Sequence, residues 1–163
     1  MKGITPFLWF DTEAEEAANF YVSAIPNSKL IGITRYGEAG PREAGTVMTV
    51  EFELDGQRLV ALNGGPEYTF SGGVSFVLNC ETQDEVDELW EKLGEGGQHH
   101  PCGWLTDKYG LTWQVVPTRL QELLSDPDPQ KSQRVMAAMM QMGKLEIEPL
   151  ERAAAGAGVS ARS

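Results

Sequence analysis

Cys102, Trp104, Trp113 and Gln114 fall within one short stretch, Cys102 to Pro117. Thr112, Gln114 and Val116 alternate with Trp113 and Val115, the period-2 pattern of a half-buried strand. Asp107 to Gly110 is turn chemistry, because Asp bonds its own backbone and Gly accepts positive φ. The stretch therefore reads as a hairpin that gathers two indoles, a thiol and an amide. Two tryptophans are costly to leave in water, so either core or ligand must cover them. Cys102 as a nucleophile has no basic neighbour in the pattern except His99-His100, and reads as a small buried hydrophobe. Adjacent strand residues point opposite ways, so the two histidines do not read as joint ligands of one ion. They read as a solvated pair before Pro101.

The elements that position this hairpin form a series. Ile4 to Phe10 is expected to be a strand with Thr5, Phe7 and Trp9 on one face, and Pro6, which cannot donate to a ladder, puts it at an edge. Asp11-Thr12 is expected to cap a helix rich in Glu at its start, which stops near Ile25-Pro26. Lys29 to Tyr36 reads as a strand and Gly37 to Gly45 as a mobile loop. Thr46 to Leu54 and Arg58 to Asn63 pair over the turn Asp55-Gly56-Gln57. Val74 to Cys80 is a further strand, and Gln83 to Leu93 a helix capped by Glu81-Thr82 and stopped by Gly94 to Gly97. Beyond Pro117 the pattern turns helical, with an apolar patch at Leu120, Leu123 and Leu124. A proline-started helix follows Asp128 and ends at Gly143, and a short helix lies around Leu150.

The series contains an internal repeat. A shift of 70 positions lays Thr5 on Ser75, Leu8 on Leu78, Phe10 on Cys80, Glu15 on Glu85 and Phe20 on Trp90. The fold class is α+β, made of paired β-α-β-β-β modules with C-terminal helices. Each sheet is expected to cover its outer face with a helix and turn its inner face toward a shared cleft. The domain reading is 1–118 for the two modules (about 1–70 and 71–118), 119–155 for a helical extension, and 156–163 for a tail.

Composition bounds the function. The 163 residues carry 24 acidic and 13 basic side chains, a net charge of −11. Nucleic acid and anionic membranes are poor partners for such a surface, since both require Lys and Arg against phosphate. No apolar run approaches the roughly 20 residues of a membrane span. No signal peptide is read at the N-terminus, so a cytoplasmic protein with reduced thiols at Cys80 and Cys102 is expected.

Several motifs resemble the vicinal oxygen chelate superfamily of glyoxalase and bleomycin-resistance proteins, and in particular its PhnB-like branch, labelled the 3-demethylubiquinone-9 3-methyltransferase family. They are Thr5-Pro6-Phe7-Leu8-Trp9-Phe10, Asn19-Phe20-Tyr21, Ala61-Leu62-Asn63-Gly64-Gly65-Pro66, Gln83 to Trp90, Cys102-Gly103-Trp104, Trp113-Gln114-Val115-Val116-Pro117 and Gln133-Arg134-Val135-Met136. Metal-dependent members hold a divalent ion with His and Glu on inner strand faces. By this resemblance those positions fall on Thr5, Ser75, Gln114 and a residue near Val60 or Leu62, none of them His, Asp or Glu. Two hydroxyls and an amide make a poor transition-metal site, so no metal and no other cofactor is expected. The usual S-adenosylmethionine site needs a Gly-rich strand-to-helix turn and a following acid, and Gly64-Gly65-Pro66 and Gly94 to Gly97 do not read as one.

The candidate ligand-binding set is Thr5, Phe7, Trp9, Asn63, Ser75, Trp104, Thr112 and Gln114. It mixes aromatic walls with neutral polar groups, the make-up of a small-molecule pocket. A core with hydrogen-bonded amides is the competing reading. Tyr68 and Phe70 are placed to close over such a pocket. The expectation is a protein that binds a small molecule, with a lyase, isomerase or oxygenase of the same superfamily, or the labelled methyltransferase, as alternatives. A homodimer is expected from Pro6 near a sheet edge, the Met-rich helix and the habit of the family.

Overall fold

The structure, a computed structural model, describes residues 3–156. Of the tail expected at 156–163, all but Gly156 lies outside the described residues. The chain divides into two compact units, Met1–Phe70 and Ser71–Ser163.

The first unit runs β1 (Phe7–Phe10), α1 (Ala14–Ala24), β2 (Lys29–Arg35), β3 (Val47–Leu54) and β4 (Gln57–Asn63), with sheet order β1-β4-β3-β2. β1 and β4 are parallel, the other pairs antiparallel. Leu8, Phe10, Val50, Phe52, Leu59 and Ala61 are buried with Ala14, Ala17, Ala18 and Tyr21 of α1, and Tyr21 stacks on Phe52 at 6.3 Å. Each fully buried large side chain there contributes about 1.5–3 kcal/mol. The small alanines let the helix approach the sheet closely. The hairpin turn is Asp55-Gly56, both at positive φ, which matches strand twist.

Two expectations are corrected in this unit. The strand begins at Phe7, because Pro6 brings no N–H; its carbonyl accepts from Val60 N at 3.1 Å, and Ile4 is 82% exposed. The cap of α1 comes from neither Asp11 nor Thr12. The N-cap residue is Glu13, whose side chain accepts from Thr12 N at 2.9 Å and makes no capping bond, and Asn63 Oδ1 takes the Ala14 N–H at 2.8 Å instead.

The second unit repeats the pattern: β5 (Phe76–Cys80), α2 (Gln83–Gly94), β6 (Gln98–His99), β7 (Trp104–Thr106) and β8 (Thr112–Pro117), with sheet order β5-β8-β7-β6. Thr82 closes a capping box with Glu85. Val86, Leu89, Trp90 and Leu93 of α2 are buried, as are Leu105, Trp113 and Val115 of the sheet. Three helices follow, α3 (Thr118–Leu124), α4 (Pro129–Met139) and α5 (Ile147–Ala155). Their own core is Leu120, Leu123, Val135, Leu145 and Leu150. α4 ends before the expected Gly143, and the segment after it docks as backbone: Cys102 N donates to Met142 O and Gly103 N to Gly143 O, both at 2.8 Å. Gly103 has to be glycine there. Its φ is +81°, and a Cβ would sit 2.8 Å from Val115 O and 2.9 Å from Leu145 Cδ1.

Candidate functional site

In the second unit, β8 sends Trp113 and Val115 to the α2 side and Thr112, Gln114 and Val116 to the other. Register completes that other face. Trp104 lies opposite Gln114, Thr106 opposite Thr112, and Val77 beside Gln114 on the parallel strand. Gln114 Nε2 donates to Ser75 Oγ at 2.9 Å. His100 N donates to Trp104 O at 2.8 Å, and its ring Nε2 shares a 2.9 Å hydrogen bond with Thr106 Oγ1. Ser75, Trp104, Thr112 and Gln114, all read from sequence, thus lie on one sheet face, with Val77 46% exposed beside them.

The histidine pair is corrected. His99 stacks on the Trp90 ring at 4.4 Å and its Nε2 shares a hydrogen bond with Trp90 O, whereas His100 joins the Trp104 face. His99 lies in β6 and stays exposed, and His100, in the coil after it, is held by its hydrogen bonds. The signal for His100 was the period of two running on from Gln98, masked by the short strand and Pro101.

In the first unit, Phe7 and Trp9 share the face away from α1, Phe7 being 60% exposed. Trp9 Nε1 donates to Gly65 O at 2.8 Å, and the Tyr68 ring meets it edge-on at 5.0 Å. Phe70 packs on Phe10. Thr5 is exposed and precedes the strand. Asn63 is engaged differently. Its Oδ1 caps α1, its Nδ2 donates to Val47 O at 3.2 Å, and its backbone carbonyl accepts from Tyr36 Oη at 2.6 Å. Its amide holds the end of the sheet to the start of the helix.

Asn63 also borders a cavity of about 750 Å³ that sequence reading missed, lined by Thr12, Glu15, Arg42, Gly65 and Glu67 among others. Arg42 Nη1 donates to Asp11 O at 3.0 Å and lies 3.4 Å from Asp11 Oδ1. The ends of the loop forming one wall are joined by Tyr36 N to Thr46 O and Gly45 N to Tyr36 O.

Both cysteines are free thiols. Burial, with Glu85 adding repulsion, pushes the Cys80 thiol up to about 11 despite a backbone bond from Val116 that acts the other way. Cys102 sits at a φ of 62°, its thiol within reach of Met139 O at 3.6 Å and Met140 Sδ at 3.8 Å.

The strand positions that hold a divalent ion in metal-dependent relatives do not fit one here. Ser75 and Gln114 bond each other, Thr5 offers a hydroxyl, and a transition ion favours imidazole, carboxylate or thiolate. Among the described residues no group of three or more His, Cys, Asp or Glu side chains is gathered as a metal site.

Two four-stranded sheets, each built from a β-α-β-β-β run, define a vicinal oxygen chelate fold. Within it, the chain belongs to the 3-demethylubiquinone-9 3-methyltransferase family, the PhnB-like group, whose sequence profile matches residues 2–116. The PhnB protein of Bacillus cereus is 36% identical over 72% of this chain and 100% of its own, with a TM-score of 0.64. A Pseudomonas aeruginosa protein is 23% identical over 72% of this chain and 98% of its own, at a TM-score of 0.60. The fosfomycin resistance protein FosX of Listeria monocytogenes is 16% identical over 75% of this chain and 98% of its own, at 0.50, a likeness of fold alone. No curated protein matches the chain. No helix among the described residues is long and apolar enough to cross a membrane.

Proposed function

We propose that this PhnB-like protein binds a small molecule on an aromatic, neutral-polar surface, without a tightly bound metal. The observation that carries the reading is the Trp104–Gln114–Ser75 row. An indole lies across the sheet from an amide that is hydrogen-bonded to a hydroxyl, and Thr112 and exposed Val77 flank them. Flat apolar area with a few neutral hydrogen-bonding groups suits an uncharged or weakly polar organic ligand. Phe7 and Trp9 offer a comparable aromatic surface in the first unit. Titrating candidate ligands while following tryptophan emission tests the reading. Quenching that persists in the Trp90→Phe variant and disappears in Trp104→Phe supports it; quenching indifferent to Trp104 refutes it.

The His100–Thr106 hydrogen bond favours a second reading, an enzyme of the same fold in which His100 moves a proton. Turnover of any substrate that survives His100→Gln unchanged would end it. Methyl transfer, the activity in the family's description, has less support. Gly64-Gly65 leads into coil and Gly94 to Gly97 into β6, so neither opens a helix onto a nucleotide. Failure to bind S-adenosylmethionine by calorimetry would exclude it.

A cytoplasmic homodimer is the assembly we propose. β2 is exposed along its whole length, with Leu30, Ile31 and Ile33 on that edge. Open apolar edges invite pairing with a second copy. Sedimentation showing only monomer at micromolar concentration would contradict it.

A further inference from the structure

We propose that Cys102 and Met140 form a binding site for a soft monovalent cation, Cu(I) or Ag(I). Their sulfurs stand 3.8 Å apart, and the same thiol lies 3.6 Å from Met139 O. The ion would replace the thiol proton and lie between the two sulfurs.

The donors are held unequally, and both arrangements serve the site. Cys102 is fixed: its φ of 62° is locked by the bonds from Cys102 N to Met142 O and Gly103 N to Gly143 O. Met140 follows α4 and is 57% exposed, so the ion has an approach from solvent. Met136 lies one helical turn earlier and is 44% exposed, which puts a second thioether, and a third sulfur, on the same side.

Donor chemistry selects the ion. Thiolate and thioether are soft ligands that favour Cu(I), whereas zinc, manganese and magnesium take imidazole, carboxylate or water. Binding exchanges one proton for one cation: the Cys102 S–H bond breaks, a sulfur–metal bond forms, and the proton passes to solvent. No oxidation state changes. The site is separate from the small-molecule reading, because neither Cys102 nor Met140 belongs to the Trp104–Gln114–Ser75 row.

The test is an anaerobic titration of the intact protein with Cu(I) in competition with bicinchoninate. One Cu(I) per chain is expected, retained in Cys80→Ser and lost in Cys102→Ser. Met140→Leu, an exposed replacement that leaves the fold intact, is expected to weaken binding at least about tenfold, the scale on which even outer-shell changes act. Binding that survives Cys102→Ser, or is equal in Met140→Leu and the parent, overturns the proposal, as does no binding by the parent protein.

Discussion

The buried carboxylate of Asp107 accepts the indole N–H of Trp113 at 2.8 Å, while its other oxygen takes the backbone N–H groups of Tyr109 and Leu111 at 2.8 and 3.1 Å. One side chain thus builds the β7–β8 turn and satisfies the most deeply buried indole among the described residues. Asp107→Ala strands a buried donor and frees the turn. A loss of about 2–4 kcal/mol is expected in urea unfolding, from several lost bonds each worth 1–3 kcal/mol. Asp107→Asn, which keeps one carbonyl acceptor, should lose less.

Asn63 makes a second prediction. Its amide caps α1 through Ala14 N and ties β3 through Val47 O. Asn63→Ala should cost roughly 1–3 kcal/mol, a lost cap plus a stranded backbone acceptor. Asn63→Asp keeps the cap but not the donor, so it should recover part of that loss. If Asn63→Ala abolishes ligand binding and leaves stability unchanged, its role is in the site instead.

Cys80 predicts a pH dependence. Its thiol is raised to about 11 in the folded chain from 9.0, so above pH 9 the unfolded chain loses the proton first. Stability from this group is complete below pH 9 and lost as pH rises through 11, on the order of 3 kcal/mol in total. The stability difference between the parent and Cys80→Ala should therefore narrow across that window. A constant difference from pH 8 to 11 would contradict the assignment.

Gln83 makes a fourth. At the start of α2 it donates to Leu145 O at 3.1 Å and accepts from Ile147 N at 2.8 Å, joining that helix to the entry of α5. Gln83→Ala should cost about 1–2 kcal/mol and speed hydrogen exchange at Ile147. The nearby Lys144–Asp87 ion pair at 2.7 Å is exposed, and its removal should cost under about 1 kcal/mol.

The repeat was readable because local rules agree with the fold in both halves. The alternation in β8, the turn at Asp55-Gly56 and the capping box at Thr82 each act within a few residues. What escaped the sequence depends on distant partners. Asn63 caps a helix 49 positions away, and Met142 and Gly143 complete the backbone bonding of Cys102 and Gly103. His100 was hidden because a two-residue strand gives almost no periodicity. The hairpin that carries Trp104 and Gln114, by contrast, was legible in the alternation of β8 and the turn at Asp107 to Gly110, while the pairing of the two residues came with the structure.

The central claim is that the Trp104–Gln114–Ser75 face holds a small molecule and needs no zinc, nickel or manganese. Native mass spectrometry of the protein purified without denaturation or chelator, with metal analysis of the same sample, tests it most directly. The account predicts a noncovalent organic adduct that disappears in a folded Trp104→Ala, Gln114→Ala variant, and far less than one of those metals per chain. About one such ion per chain, or an adduct equally retained by the variant, would contradict it.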